Sequence, residues 1–135
     1  MRIILKGSKV KSKLTEKVEK ISGQNIFACY QCGKCSAGCP MIDSMDYMPN
    51  QAMKLLQMGA AEEIINSKTM WMCASCHTCS VRCPRDIDLS AVMEALRLIY
   101  LRTNVNKVEP SQIPEEELKD LPQIALVCNF RKMTR

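Results

Sequence analysis

The sequence is poor in the features that mark membrane, secreted and most catalytic proteins. Aromatic residues make up 4% of the 135 residues, and there is a single histidine. No stretch approaches the roughly 20 apolar residues that a spanning helix needs, so we expect no membrane span. The start "MRIILKGSKVKSK" lacks the small-residue cleavage site of a secretory signal, which predicts a cytoplasmic protein. No nucleotide-binding glycine loop and no Ser/His/Asp set can be found.

Excess positive charge is confined to one end of the chain. The formal net charge is +5, and residues 1–20 alone hold seven basic residues against two acidic ones. No aromatic residue interleaves with these lysines, so nothing favours the binding of single-stranded nucleic acid. We interpret residues 1–24 as a basic N-terminal arm and helix, either solvated or docked to an acidic partner, and we expect no nucleic-acid partner.

Cysteine, in contrast, is abundant. Eight of the nine cysteines fall in two runs, "CYQCGKCSAGCP" (residues 29–40) and "CASCHTCSVRCP" (residues 73–84). The runs repeat with an offset of 44 residues, and both place a serine after the third cysteine and a proline after the fourth. The repeat indicates either a duplicated ligand loop or convergence on one.

Three kinds of site compete for these thiols. A disulfide scaffold does not suit a reducing compartment. Zinc usually takes four ligands from two separate Cys-x-x-Cys pairs, unlike the spacing here. The pattern C-x2-C-x2-C-x3-C-P is that of bacterial ferredoxins, in which the fourth cysteine of a run ligates the other cluster. We therefore predict two [4Fe–4S] clusters, with no thiol of the two runs left over.

The predicted ligand sets cross between the runs. Cluster 1 takes Cys29, Cys32, Cys35 and Cys83; cluster 2 takes Cys73, Cys76, Cys79 and Cys39. His77 lies inside the second run but is redundant as a ligand, because the cysteines suffice. Cys128 lies outside both runs in an apolar segment, where we expect a buried, inert thiol.

The remaining pattern is helical. Leu14, Val18 and Ile21 form one apolar stripe, and Pro49 begins a second helix that ends near Gly59. Asp88 is a good N-cap for the helix "LSAVMEALRLIYLR". After residue 104 prolines interrupt the pattern; "PEEELKDL" favours one short helix, whereas "IALVCNF" is a helix or a strand. We predict an all-α fold with an irregular C-terminal extension.

The segments "FACYQCGKCSAGCP", "WMCASCHTCSVRCPRDIDL" and "LPQIALVCNFRKMT" resemble the C subunits of soluble heterodisulfide reductases. The resemblance implies an α-helical ferredoxin domain holding two [4Fe–4S] clusters, which we place at residues 25–104. Residues 105–135 would be a partner-docking extension. The chain ends at Arg135, earlier than the resemblance leads us to expect.

The same resemblance implies a function. Such C subunits are non-catalytic electron relays in an oxidoreductase complex. They pass electrons from a flavoprotein A subunit, which bifurcates electrons, to a CCG-domain B subunit that reduces the CoM-S-S-CoB heterodisulfide. A larger assembly with a hydrogenase or formate dehydrogenase is compatible with this role. The alternative is a helical-ferredoxin relay for another dehydrogenase or a quinone-linked oxidoreductase.

Overall fold

The structure is a computed structural model that describes residues 12–103 and 109–133. The chain divides into two compact units, Met1–Thr103 and Asn104–Arg135. Within the described residues all regular structure is helical and no strand occurs, which confirms the all-α prediction. The basic residues of the predicted arm up to Lys11 lie outside the described part, and the boundary at residue 24 stays a prediction.

Within residues 12–103, the first unit has seven α-helices. In chain order they are α1 (Lys13–Ser22), α2 (Lys34–Ala37), α3 (Pro49–Gln57), α4 (Ala61–Ile65), α5 (Thr69–Met72), α6 (Thr78–Val81) and α7 (Leu89–Leu101). Single turns of 3₁₀ helix lie at Ile26–Ala28 and Ile42–Ser44.

Helix α1 follows the predicted stripe and has clear start and stop signals. The Ser12 hydroxyl accepts a hydrogen bond from the backbone N–H of Thr15, and Gly23 ends the helix in the left-handed conformation. Val18 is fully buried, and the Thr15 hydroxyl donates to the Leu56 carbonyl at 3.2 Å. The helix is thereby fixed to the end of α3 as well as to the core.

Helix α7 is the centre of this unit. It packs along α1 and also contacts α4, α5 and α6. One face of α7 points into the core, since Val92 and Leu96 are fully buried and Met93 is nearly so. The side chains of the core with no exposed surface are Val18, Ile26, Ala52, Leu56, Ala61, Ile64, Met70, Val92 and Leu96. The two cysteine runs lie against this core and are positioned by it.

The second unit contains α8 (Glu115–Asp120) and α9 (Gln123–Met133), after a 3₁₀ turn at Pro110–Gln112. Pro114 directly precedes α8, as predicted, and the apolar run that periodicity left open is helical. The extension is thus more regular than expected. The prediction that Cys128 is buried is wrong, because its side chain is exposed. The second unit is too small to cover every face of an eleven-residue helix, so some side chains of α9 stay exposed.

Candidate metal centre

The two cysteine runs adopt the same backbone conformation. The residue before the second cysteine has a positive φ in both runs, 62° at Gln31 and 51° at Ser75. The residue after it does too, 76° at Gly33 and 57° at His77. Few non-glycine residues adopt this conformation, so its recurrence at matching positions indicates one loop built twice. The sequence repeat is therefore also a structural repeat.

Each loop then enters a four-residue helix, α2 or α6, and its serine fastens it to the next long helix. The Ser36 hydroxyl donates to the Asn50 side-chain oxygen at 2.6 Å, and the Asn50 backbone N–H donates back to it. The Ser80 hydroxyl donates to the Asp88 carboxylate at 2.6 Å. Since Asn50 lies in the first turn of α3 and Asp88 caps α7, both loops are held at a helix N-terminus.

A long polar side chain holds the start of each run. The Gln57 amide, at the end of α3, donates to the carbonyls of Ile26 and Cys29 at 3.0 and 2.7 Å. The Arg97 guanidinium, on α7, donates to the Met70 carbonyl at 2.7 Å and to the Cys73 carbonyl. The carbonyls held by Arg97 lie 44 residues after those held by Gln57, so the two contacts are equivalent. The amide of Gln57 is neutral, whereas the guanidinium of Arg97 is a cation.

A cavity that we call the first site lies beside the first loop. It encloses about 380 Å³, including the part open to solvent. Four of its lining thiols are those predicted for cluster 1, and Met53, Ile87 and Leu89 supply apolar walls. The predicted thiols are Cys29, Cys32, Cys35 and Cys83, which come from both runs.

A second cavity, the second site, lies beside the second loop and encloses about 410 Å³ on the same measure. Its thiols are those predicted for cluster 2, Cys39, Cys73, Cys76 and Cys79. The lining also includes His77, Leu89 and Met93. Cys79 and Leu89 line both cavities, so the two sites share a wall.

The arrangement suits a group larger than one metal ion. Among residues 12–103 and 109–133, no three His, Cys, Asp or Glu side chains lie close enough together to hold a single ion. The four thiols instead surround each cavity, as ligands to different irons of a cubane do. Only the second thiol of each run, Cys32 or Cys76, is exposed; the other six are half-buried.

Burial and hydrogen bonding change the pKa values of several of these thiols. Burial raises the pKa of the Cys35 thiol and of Cys79, its equivalent in the second run. The nearby Thr78 hydroxyl lowers the pKa of Cys76, and the Gln31 amide donates to the Cys29 sulfur at 3.5 Å. Because metal ligation requires thiolates, cluster binding would release protons from these thiols.

His77 lies at the edge of the second site. Its Nδ1 is 3.5 Å from the Asp88 carboxylate, which also accepts from the backbone N–H groups of Ser90 and Ala91. Burial raises the pKa of Asp88, but the Ser80 hydroxyl, these N–H groups and His77 together hold it below its ordinary value. The Asp88 carboxylate thus joins the second loop to α7.

Sequence reasoning missed several residues that position the sites. No sequence pattern marks Gln57 or Arg97 as a residue that positions a site, because the carbonyls they bind lie 24 to 31 residues away. Ser36 and Ser80 are marked by the sequence, since they repeat with the cysteines. Their hydrogen bonds, however, depend on where the following helices α3 and α7 begin. The contact of Asp88 with Ser80 extends its predicted role as an N-cap.

Residues 25–87 match the family described as "4Fe-4S dicluster domain". Both cysteine runs and both cavities' thiols fall within the matched range, so the site belongs to iron–sulfur chemistry rather than to zinc.

Several similar proteins are C subunits of heterodisulfide reductases. The chain is 34% identical over 95 residues to the C subunit of the H2:CoB-CoM heterodisulfide,ferredoxin reductase of Methanothermobacter marburgensis, covering 70% of this chain and 51% of that protein. It is 37% identical over 88 residues to the iron–sulfur C subunit of the CoB–CoM heterodisulfide reductase of Methanopyrus kandleri, with 62% and 46% covered.

The chain is thus similar to heterodisulfide reductase C subunits over 62–70% of its length. A C-subunit-like protein of Archaeoglobus profundus is 26% identical over 91 residues, 67% of this chain and 48% of that protein. The chain spans about half the length of these curated relatives. Among the helices described, none has the length and apolar character needed to cross a membrane.

Proposed function

We propose that this heterodisulfide reductase C-type chain is an electron relay that holds two [4Fe–4S] clusters. The observation that carries the proposal is the composition of the two cavities. Each is lined by three cysteines of one run and the fourth cysteine of the other, and the first also borders Cys79. This lining supports the crossed ligation that the ferredoxin spacing predicts.

The eight thiols have defined roles in this proposal. The first site binds its cluster through Cys29, Cys32, Cys35 and Cys83, and the second through Cys39, Cys73, Cys76 and Cys79. Bound clusters supply one-electron redox chemistry, and the protein supplies position and insulation. Leu89, Met53 and Met93 exclude water from the cavity walls, while Gln57 and Arg97 fix the first ligand of each run.

The surface of each site fits a relay. Each has one exposed cysteine, Cys32 or Cys76, and the sites adjoin each other through Cys79 and Leu89. An electron can therefore enter near one exposed thiol, cross the shared wall and leave near the other. The described residues offer no separate catalytic constellation that this role would leave unused.

The relatives' names support a place in a heterodisulfide reductase complex. We infer that the chain receives electrons from a flavin-containing A subunit and passes them to a CCG-domain B subunit. The B subunit would reduce the CoM-S-S-CoB heterodisulfide. A cytoplasmic complex that also contains a hydrogenase or formate dehydrogenase fits the same role.

Anaerobic native purification tests this proposal. The chain should carry about eight irons and eight sulfides and give a reducible EPR signal, since each cubane holds four of each. A flavoprotein and a CCG-domain protein should co-purify. A chain with about two zinc ions would contradict the cofactor. A quinone-binding partner would contradict the complex and favour the alternative relay.

A further inference from the structure

The equivalent contacts of Gln57 and Arg97 differ in charge. Both side chains hold two carbonyls at the start of a cysteine run, at positions that correspond in the repeat. The Arg97 side chain is only 17% exposed, so water screens its charge poorly. A permanent cation thus lies against the peptide of Cys73, where the first site has a neutral amide.

A nearby positive charge favours the reduced form of an iron–sulfur site. Reduction adds one negative charge, and the reduction potential follows net charge, hydrogen bonding and burial around the sulfurs. The interaction grows as water is excluded between the charges. Arg97 is therefore expected to raise the potential of the second site relative to a neutral residue in its place.

Other charges around the sites offset this difference only in part. Lys34, Arg82 and Arg85 are exposed, where solvent and salt screen them. The Asp88 carboxylate lies near the second site, but Ser80, two backbone N–H groups and His77 surround it with donors. Glu94 lies 3.3 Å from Arg97 and offsets part of its charge, but the Glu94 side chain is 54% exposed, so solvent screens its carboxylate more than the guanidinium.

We propose that Arg97 sets the order of the two potentials, making the second site the more readily reduced. One electron then moves from the first site to the second, and no atom is transferred. Arg97 is a positioning and tuning residue in this role, not a ligand. The inference rests on the proposed function, because it requires a cluster in each site.

The test is the substitution Arg97→Gln, which replaces the cation at the second loop by the residue type that binds the first loop, Gln57. The full chain, purified anaerobically with its clusters, is titrated with a chemical reductant while EPR follows each reduction step. The higher-potential step should move to lower potential. At a fixed potential the reduced-to-oxidised ratio should fall about tenfold, which corresponds to about 59 mV for one electron.

Two further variants separate charge from structure. Arg97→Lys keeps the cation while losing the planar fork, so it should restore most of the potential. Arg102→Gln removes an exposed arginine just after α7 and should leave both steps unchanged. If Arg97→Gln fails to retain its second cluster, Glu94→Gln provides the test, because removing that carboxylate should raise the higher potential.

Several results would overturn the inference. They are an unchanged higher step in Arg97→Gln, a shift of the lower step instead, or no rise in Glu94→Gln. In each case the iron and sulfide content distinguishes the two proposals. A chain with both clusters but unmoved potentials contradicts the role of Arg97 alone, whereas a chain without clusters contradicts the proposed function.

Discussion

Cys39 stands in the first cysteine run but lines the second site, beside Cys73, Cys76 and Cys79. Substitution Cys39→Ala should therefore damage the cluster bound by the second run. The expected result is partial or complete loss of about four irons, and loss of the EPR signal that Arg97 variants shift. Iron analysis and EPR on the purified chain measure both.

Cys83→Ala is the mirror-image control and should damage the other signal, since Cys83 lines the first site. Cys128→Ala should retain both clusters, because the exposed Cys128 lies outside the runs. Loss in Cys39→Ala of the signal that belongs to Cys29, Cys32 and Cys35 would disprove the crossed assignment.

At the scale of residues, the sequence identified the candidate cluster ligands but not the side chains that hold their loops. Eight thiols at ferredoxin spacing have few other uses in a reducing compartment. The role of Gln57 depends on α3 placing its end beside Cys29, which no local pattern encodes. The exposure of Cys128 was missed for the same reason, since an apolar neighbourhood in sequence is not a buried one in space.

Asp88 begins helix α7 and also accepts the hydroxyl of Ser80 in the second loop. Asp88→Ala removes the cap, which typically costs about 0.5–2 kcal/mol in the free energy of unfolding. A loss of about 1 kcal/mol lowers the Tm of domains of this size by several degrees. The variant should also lose iron to a chelator faster than wild type, because its loop is no longer tied to α7.

Ser12→Ala is the matched control, since it removes the N-cap of α1, and the Ser12 hydroxyl bonds to Thr15 of that helix and not to a cysteine run. It should lower Tm to a similar extent while leaving the rate of iron loss unchanged. Equal rates of iron loss in the two variants would show that Asp88 acts only as a cap.

Among the elements, α1, α7 and the short α8 were predictable, whereas α2, α6 and the type of α9 were not. Helices α1 and α7 have apolar periodicity over at least two turns and conventional caps. Helices α2 and α6 have four residues each, too few to show a period. Their start depends on left-handed residues at Gly33 and His77, and histidine gives little sequence warning of that conformation. The apolar segment that became α9 lacks a period long enough to distinguish helix from strand.

In the proposed crossed ligation, each cluster joins the two cysteine runs of the first unit. With few aromatic residues in its core, the chain should draw much of its stability from the bound clusters. We expect the apo-protein, prepared with chelator and oxidant and then reduced, to be largely unfolded. Far-UV circular dichroism and thermal scans of apo- and holo-protein compare the two forms.

Cooperative melting of an apo-protein with native helix content would contradict this expectation. It would show that the buried side chains of α1, α3, α4 and α7 suffice to fold the unit without metal. The fold class could be inferred from sequence because helix periodicity and ligand spacing are local. The shared wall between the sites could not, because it depends on where two distant loops pack.

Cys79 lies in the wall that the two sites share. Its side chain borders both cavities. In the proposed ligation, oxidation of the Cys79 sulfur by oxygen or peroxide would remove a ligand of the second cluster and put a polar group in the wall of the first site. One oxidised atom would thus affect both sites, although only the second would lose a ligand.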